Sequence, residues 1–412
     1  MKLRQTTTGT SKKSGFFKRA GVLGPAFVVG VAYLDPGNIA TNLTASSKFG
    51  YQLLWVIILA NFSAWLVQYL AAKFGVATQL SLPELMGTRI NKRATRISYW
   101  LQAQVISIAT DVAEVVGGAI ALHLIFNISL FLGGIITALF SLAHLALRER
   151  GEIRLFEIVI FTLIGLTGIG LSSGLVINPV DFHLMTEGLI PHIENSESLL
   201  LAAGIFGATI MPHAIYAHTA LTSNRLRDIK TSKSILKITR LDVSLAMFIA
   251  GAINVATFFV GAINLSGKNI DDSIIGAHTE ITKILGGGVA LLFAVGLLAS
   301  GLASSTVGTY TSVIITQGLL RIKVTPFLQR ALVLIPALIV IYVSNNLTMA
   351  LVFSQVILSF GIPFALFPLV YLTSQQEIMG NLVNKKITTW VAYLLAAALT
   401  ILDGVLIFLS FY

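Results

Sequence analysis

Long apolar segments make up most of this chain, and their length limits what it can fold into. A helix needs about 20 mainly apolar residues to cross a bilayer. Eleven segments meet that requirement, near residues 20–46, 52–78, 97–123, 125–147, 155–178, 198–223, 239–265, 287–317, 327–344, 348–373 and 387–411. Because the connections between them are short, we predict an all-α polytopic membrane protein with 11 transmembrane helices in a single domain (20–412).

The composition excludes a soluble protein of this size. Of the 412 residues, 55% are hydrophobic and only 11% are charged, whereas about 25% are charged in an ordinary soluble domain. A soluble fold cannot cover so much apolar surface. Disordered and fibrous proteins are excluded on the same grounds, and the absence of cysteine excludes disulfides and thiolate metal sites.

The basic residues predict the orientation in the membrane. With the N-terminus in the cytoplasm, 25 of the 28 Lys and Arg residues fall in inward-facing segments, and only Lys48, Lys268 and Lys283 do not. This asymmetry follows the positive-inside rule. It predicts a multi-pass cell-membrane protein with a cytoplasmic N-terminal tail (1–19) and an extracellular C-terminus. The same asymmetry explains the net charge of +10, so no nucleic-acid partner is needed.

Two of the predicted spans contain helix-breaking motifs near their middle. The first carries Asp35-Pro36-Gly37-Asn38, and the sixth carries Met211-Pro212-His213. Irregular backbone at membrane depth is tolerated only where it is buried in protein or lines a cavity. Matched breaks in two halves with an odd number of helices are typical of inverted-repeat transporters. We therefore predict repeats at about 20–178 and 198–373, an extra helix at about 387–411, and a binding site where the breaks meet.

The polar groups at the breaks indicate a cation site. The candidates are the Asp35 carboxylate, the Asn38 amide oxygen, the Met211 thioether and backbone carbonyls freed near Ala208. Oxygen ligands alone would suit sodium, magnesium or calcium, whereas a soft thioether favours borderline transition metals. The mixed set is best suited to reversible binding of Mn²⁺ or Fe²⁺.

These motifs resemble those of the Nramp (natural resistance-associated macrophage protein) family, in its bacterial branch. The resemblance extends over almost the whole chain and includes Ala109-Thr110-Asp111-Val112-Ala113-Glu114 and Ser354-Gln355-Val356-Ile357-Leu358-Ser359-Phe360-Gly361. It implies a LeuT-like 5+5 inverted repeat with helices 1 and 6 broken, and proton-coupled import of Mn²⁺ or Fe²⁺ with no resident cofactor. The implied metal ligands are Asp35, Asn38, Met211 and the carbonyls of Ala32 and Ala208, with Gln355 joining as the site occludes.

A polar stripe in the third span indicates a proton route. Gln104, Ser107, Asp111 and Glu114 lie on one face of a helix. Acidic residues inside a membrane pair with a cation or relay protons, and Arg330 is the expected partner of Asp111. A static ion pair between two helices is the alternative.

His213 and His218 lie five residues apart on the sixth span, and neutral histidine can pass a proton near physiological pH, so we expect both to line the proton pathway. The resemblance, which includes His213, also reveals a departure. Bacterial relatives often carry a glutamate and an arginine where this chain has Gln104 and Gln329. The reach of the proton route along the third span is therefore in doubt.

Other polar positions are interpreted structurally. Glu157, Asp242 and Asp403 are expected to mediate helix contacts, and the small residues of 300–309 are expected to let helices approach closely.

Two other classes of function remain to be compared. A sodium-coupled transporter of an organic solute could share this fold, but an aspartate and a thioether in the breaks disfavour an anionic solute. An intramembrane enzyme is disfavoured because no His-Glu-x-x-His pattern is present and no nucleophile elbow is predicted. The Gly-x-Ser-x-Gly match at residues 170–174 lies inside a predicted span and not at a strand-to-helix turn. The choice between Mn²⁺ and Fe²⁺, the proton stoichiometry and the oligomeric state are left open.

Overall fold

The computed structural model describes residues 24–149, 153–175, 180–226, 233–267, 274–344 and 346–411. Within these ranges the only regular structure is helical. The predicted tail (1–19) lies outside the described residues.

The described chain forms seventeen α-helices and three short 3₁₀ turns. They are α1 (Pro25–Gly30), α2 (Pro36–Phe49), α3 (Leu54–Thr78), α4 (Leu82–Arg89), α5 (Arg93–Phe126), α6 (Leu130–Glu149), α7 (Ile153–Ser172), α8 (Phe182–Glu187), α9 (Ser196–Thr209), α10 (Pro212–Leu226), α11 (Lys233–Asn264), α12 (Ile274–Leu285), α13 (Gly287–Leu320), α14 (Pro326–Val343), α15 (Leu347–Thr373), α16 (Gln376–Met379) and α17 (Lys386–Phe411). The 3₁₀ turns are Val31–Leu34, Ser173–Leu175 and Gly380–Leu382.

Every predicted span coincides with one long helix or with a pair of half-helices. In the described part of the chain, eight helical segments are long and apolar enough to cross a membrane, and three shorter apolar helices accompany them. This confirms the all-α, multi-pass architecture, while the count of exactly eleven membrane crossings stays a prediction. The short helices α4, α8, α12 and α16 lie between the spans.

Both predicted breaks are present. In the first, α1 gives way to a 3₁₀ turn, Asp35 is extended (φ −65°, ψ 159°), and α2 starts with Pro36. In the second, α9 ends at Thr209 and α10 starts with Pro212. Proline at the first position of a helix lacks only an N–H that would have had no helical partner. Each proline therefore ends one half-helix and begins the next.

Glycines on neighbouring helices make room for the two prolines. A Cβ added at Gly117 of α5 would overlap the ring of Pro36, and one added at Gly361 of α15 would lie 3.0 Å from Cγ of Pro212. Small residues at such contacts let helices approach closely in a membrane. The packing of α5 and α15 against the breaks thus fixes where the two pairs of half-helices meet.

The small-residue stretch 300–309 packs α13 against α5. A Cβ at Gly301 would lie 3.0 Å from the backbone nitrogen of Gly118, and one at Gly308 would lie 2.8 Å from Oε2 of Glu114. The predicted packing role of this stretch is confirmed.

Asp242 of α11 holds the start of α1. Its Oδ1 accepts a hydrogen bond from the Gly24 backbone N–H (3.0 Å), and its Oδ2 accepts one from Ala26 (3.1 Å). A carboxylate there satisfies helix N-terminal donors and matches the positive end of the helix dipole. Asp403 of α17 likewise accepts a hydrogen bond from Ser359 of α15 (2.7 Å). Both predicted helix contacts are confirmed, whereas the side chain of Glu157 lies outside the described residues.

Candidate metal-binding site

Asp35 is the N-cap of α2 and is fully buried. Its Oδ1 accepts a hydrogen bond from the backbone N–H of Asn38 (2.7 Å), and its Oδ2 accepts one from Nε2 of Gln355 (3.2 Å). No lysine or arginine of the described chain forms an ion pair with it. A carboxylate buried in a membrane protein without a basic partner favours the approach of a cation.

Asn38 joins the two breaks. Its side-chain NH₂ donates to the carbonyl of Tyr33 (2.8 Å), beside the first break, and to that of Ala208 (3.2 Å), next to the second. Its Oδ1 accepts a hydrogen bond from Asn42 (2.8 Å). Residues 170 positions apart in the sequence are therefore linked through one amide.

Gln355 brings α15 to the same point. Its Nε2 donates to Asp35 and to the hydroxyl of Ser354 (3.2 Å). Its Oε1 is buried and has no hydrogen-bond partner among the described residues. Because buried acceptors are nearly always satisfied, an unpartnered amide oxygen next to a buried carboxylate is free to accept a hydrogen bond or to contact a cation.

Two glycines allow this approach of α15. The amide of Gln355 occupies the space that a Cβ at Gly37 would need, and its backbone carbonyl occupies the space that a Cβ at Gly207 would need. Sequence reasoning did not single out Gly207. Its only signal was a small residue close to the second break, which is too common in membrane helices to be decisive.

The carbonyl ends of the half-helices also point to the breaks. The carbonyl of Ala32 accepts the Asp35 backbone N–H (3.3 Å), and the carbonyl of Leu34 accepts a hydrogen bond from Ser300. The C-terminal ends of α9 and of the 3₁₀ turn contribute the negative poles of their dipoles. A cation is therefore favoured between them.

Met211 lies between α9 and α10 and is fully buried, within the main hydrophobic core. It immediately precedes Pro212, as the sequence motif requires. Of the predicted ligands, Asp35, Asn38, Ala208 and Gln355 are connected to one another by hydrogen bonds. Ala32 is connected through the backbone of Asp35, and Met211 belongs to the same break as Ala208.

The site does not resemble a carboxylate or histidine cage. In the described part of the chain, no cluster of three or more His, Cys, Asp or Glu side chains could hold a metal ion. A single carboxylate surrounded by amide, carbonyl and thioether groups can bind a divalent ion and also release it.

The predicted proton helix is close to the second break. Asp111 and Glu114 are buried on α5, and Thr110 of the same helix contacts Nδ1 of His213 on α10 (3.2 Å). Nε2 of His213 has no hydrogen-bond partner among the described residues. The side chain of Arg330 lies outside the described residues, as does its predicted pairing with Asp111.

His218 points toward a different helix from His213. Its Nδ1 contacts Oε1 of Gln68 on α3 (2.7 Å), and Nε2 of Gln68 donates to the hydroxyl of Tyr33 (2.6 Å). This connects His218 to the first break and not to α5. The two histidines therefore belong to separate polar networks.

The two glutamines that depart from the bacterial pattern contact each other directly. Nε2 of Gln329 donates to Oε1 of Gln104 (2.7 Å) and to the hydroxyl of Ser312 (3.1 Å), while Gln104 donates to Thr316 (3.1 Å). A neutral pair of amides thus links α5, α13 and α14.

A family model described as natural resistance-associated macrophage protein-like matches residues 26–409. The chain belongs to the Nramp family. This confirms the resemblance found in the motifs. Nramp proteins are membrane transporters, so this chain is a transporter and not an enzyme.

Individual Nramp relatives agree over the whole chain. A protein of Mycobacterium tuberculosis named divalent metal cation transporter MntH is 46% identical over 406 residues, covering 98% of this chain and 94% of the relative. The crystal structure of the Eremococcus coleocola manganese transporter, in complex with an aromatic bis-isothiourea substituted compound, is 29% identical, with a TM-score of 0.84. The match covers 96% of this chain and 87% of that one.

A more distant structure supports the fold. MHP1, a nucleobase–cation-symport-1 family transporter, matches with a TM-score of 0.55 and 16% identity, over 92% of this chain and 87% of its own. At this identity the likeness concerns the fold alone. Together with the two broken helices, it confirms the predicted LeuT-like architecture of this Nramp chain.

Proposed function

We propose that this Nramp protein imports divalent transition metal ions, Mn²⁺ or Fe²⁺, together with protons. The observation that carries the proposal is the pair formed by the Asp35 carboxylate and the unpartnered Oε1 of Gln355, both buried where the two helix breaks meet. The names of the M. tuberculosis and E. coleocola relatives support a metal cargo.

The proposed ligands come from three helices. Asp35 supplies the charge, Asn38 supplies Oδ1 once its amide rotates away from the carbonyls that it bridges, and Gln355 supplies Oε1. The carbonyls of Ala32 and Ala208 and the thioether of Met211 complete the set. Thioether sulfur is a poor ligand for Mg²⁺ and Ca²⁺ but is acceptable to Mn²⁺ and Fe²⁺.

Alternating access requires this site to open to each side in turn. In the structure Asp35, Asn38, Ala208, Met211 and Gln355 are all buried, which corresponds to a closed site. With the N-terminus in the cytoplasm, α1 forms the inner half of the first span. Because α1 has only six residues and continues into a 3₁₀ turn, we propose that it moves when the site opens inward.

We propose that protons leave the site along α5. His213 lies beside the second break and contacts Thr110, which precedes Asp111. The route would continue through Asp111 and Glu114, with Arg330 as the basic partner. The amides of Gln104 and Gln329 do not ionise at physiological pH, so the ionisable part of the route would end before them.

Transport in proteoliposomes containing a metal-sensitive dye and a pH dye tests the proposal. External Mn²⁺ should enter and acidify the lumen, whereas equal concentrations of Mg²⁺ or Ca²⁺ should do neither. The Asp35→Asn protein is the matched control. Metal entry without acidification would refute proton coupling. Failure of Mn²⁺ to enter would refute the metal cargo and leave the sodium-coupled organic-solute alternative.

A further inference from the structure

A membrane-facing groove runs between α3 and α11, away from the metal site. It has a volume of about 620 Å³ and is lined by thirteen side chains, almost all apolar. Ile58 and Phe62 of α3 and Phe248 of α11 lie along it and are 44%, 62% and 74% exposed. The volume falls within the roughly 300–1,000 Å³ typical of small-molecule sites.

One end of the groove carries a positive charge held by aromatic rings. Phe62, Trp65 and Tyr69 follow one another along α3, and the guanidinium of Arg240 on α11 lies 5.9 Å from the ring centroids of both Trp65 and Tyr69. Such cation–π contacts orient a guanidinium. Arg240 is exposed, and no carboxylate of the described residues forms an ion pair with it.

Arg240 lies at the level of the lipid headgroups. It falls at the start of the predicted span 239–265, about one helical turn before Ser244, the first residue of α11 that lines the groove. The last such residue is Phe259. At about 1.5 Å per residue the distance along α11 from Arg240 to Phe259 is about 28 Å, close to the thickness of the hydrocarbon layer. Tryptophan, tyrosine and arginine are the residues that proteins place at this interface.

We propose that this groove binds one anionic phospholipid, with its phosphate on Arg240 and an acyl chain along the apolar floor. The planar guanidinium donates to phosphate in a bidentate manner. A single cation at one end of a long apolar groove matches an amphiphile with one anionic group. A wholly apolar occupant, such as a helix of a second copy, would leave that charge without a partner.

The occupant would lie close to α1, the half-helix that is proposed to move. Met247 lines the groove, and its Cε lies 3.8 Å from where a Cβ on Gly30 of α1 would be. A lipid chain against Met247 would therefore be one side chain away from the inner half-helix. The binding proposal itself depends only on the groove and not on the proposed metal transport.

Trp65 provides the probe. The chain has four tryptophans, so replacing Trp55, Trp100 and Trp390 with Phe leaves Trp65 as the sole tryptophan, which is excited selectively at wavelengths that tyrosine does not absorb. This protein is reconstituted into phosphatidylcholine vesicles with increasing fractions of acyl-brominated phosphatidylglycerol or acyl-brominated phosphatidylcholine. Bromine quenches tryptophan only at contact.

We expect half-maximal quenching of Trp65 at about a fivefold lower fraction of the anionic lipid, the preference that one basic residue near a membrane surface provides. Arg240→Gln should abolish this preference. Lys386→Gln removes a charge from α17, away from the groove, and should leave it unchanged.

Three results would overturn the proposal. Equal quenching of Trp65 by both lipids would mean ordinary annular lipid, and no quenching by either would mean that protein covers the groove. A preference that persists in Arg240→Gln would place the headgroup elsewhere. If the single-tryptophan protein does not fold, native mass spectrometry of the unmodified protein and of Arg240→Gln makes the same comparison. A bound phosphatidylglycerol retained only by the unmodified protein supports the site, and equal retention refutes it.

Discussion

Replacing Asp35 with Asn or with Ala separates its two roles, because one oxygen caps α2 and the carboxylate supplies the charge of the site. Asparagine caps helices as well as aspartate does, so Asp35→Asn keeps the contact with the backbone of Asn38 while removing the charge. Alanine removes both. We therefore expect both variants to lose metal binding and only Asp35→Ala to lose stability.

The magnitudes follow from the contacts. In Asp35→Ala, loss of the N-cap costs about 0.5–2 kcal/mol, and the buried Nε2–H that Gln355 directs at Asp35 Oδ2 loses one acceptor, at a cost of about 1–3 kcal/mol. In Asp35→Asn the amide of Gln355 can turn over, so that its unpartnered Oε1 accepts from the new NH₂ group. At an effective dielectric constant of about 20, the attraction between two opposite unit charges 4 Å apart is about 4 kcal/mol, and it is twice as large when one of them is a divalent ion. Allowing for the lost hydration of the ion, we expect binding to weaken by at least about 4 kcal/mol, or roughly a thousandfold.

Calorimetric Mn²⁺ titration and thermal unfolding of the detergent-solubilised protein measure the two effects. Asp35→Asn should unfold close to the wild-type temperature without a detectable binding heat, and Asp35→Ala should unfold at a lower temperature. If Asp35→Asn binds Mn²⁺ within tenfold of wild type, the carboxylate is not a ligand. If the two variants unfold at the same temperature, the capping argument is wrong.

Four further changes test other parts of the structure. Met211→Ala should retain Mn²⁺ uptake but let Ca²⁺ or Mg²⁺ compete, with the preference for Mn²⁺ over these ions reduced about tenfold (~1.4 kcal/mol). If the variant excludes both ions as well as wild type does, the sulfur is only a packing group. Asp111→Asn should leave Mn²⁺ binding measurable but reduce lumenal acidification per metal, and unaltered acidification would make Asp111 structural. Gly207→Ala should lower the unfolding temperature and impair uptake, because the new methyl group overlaps the Gln355 carbonyl. The matched control is Gly404→Ala, whose new methyl group contacts nothing within 4 Å and should change neither property. Asp242→Asn keeps one acceptor but removes the charge–dipole attraction to α1, which contributes about 0.3–1 kcal/mol. A cysteine introduced at Ala32 should then react faster with a thiol reagent added on the predicted cytoplasmic side, and equal labelling would mean that Asp242 does not restrain α1.

The sequence was sufficient for the architecture because each determinant is local. Apolar length and the two prolines act within single segments, and the helices lie where these signals predicted; the orientation predicted from the basic residues stays a prediction. The same is true of Asp35 and Asn38, whose positions follow from one tetrapeptide. The resemblance, by contrast, was needed to associate Gln355 with them, since residues 320 positions apart share no local signal.

What the sequence could not provide are the pairings between helices. Nothing local indicates that Asn38 reaches both Tyr33 and Ala208, that His213 and His218 face different helices, or that Asp242 caps a helix that starts more than 200 residues earlier. Each of these depends on how helices rotate and cross. The stripe of polar residues on α5 was visible in the sequence, but the neutral contact between Gln104 and Gln329 required the three-dimensional packing of α5 against α14.

With the N-terminus in the cytoplasm, as proposed, α2 is the outer half of the first span and α1 is the inner half. The two halves differ in how firmly they are held, and this predicts the direction of opening. The outer half, α2, has fourteen residues, an N-cap from its own Asp35, and Pro36 seated against Gly117. The inner half, α1, has six residues and a cap borrowed from Asp242 of α11. A short helix whose cap comes from a neighbour opens at lower free energy than a long, self-capped one. Since Asp35 belongs to the rigid half, the inner half can swing without removing the charged ligand from the site. Release toward the cytoplasm would then proceed by loss of the Ala32 carbonyl, while Asp35 and Asn38 remain in place to receive the next ion.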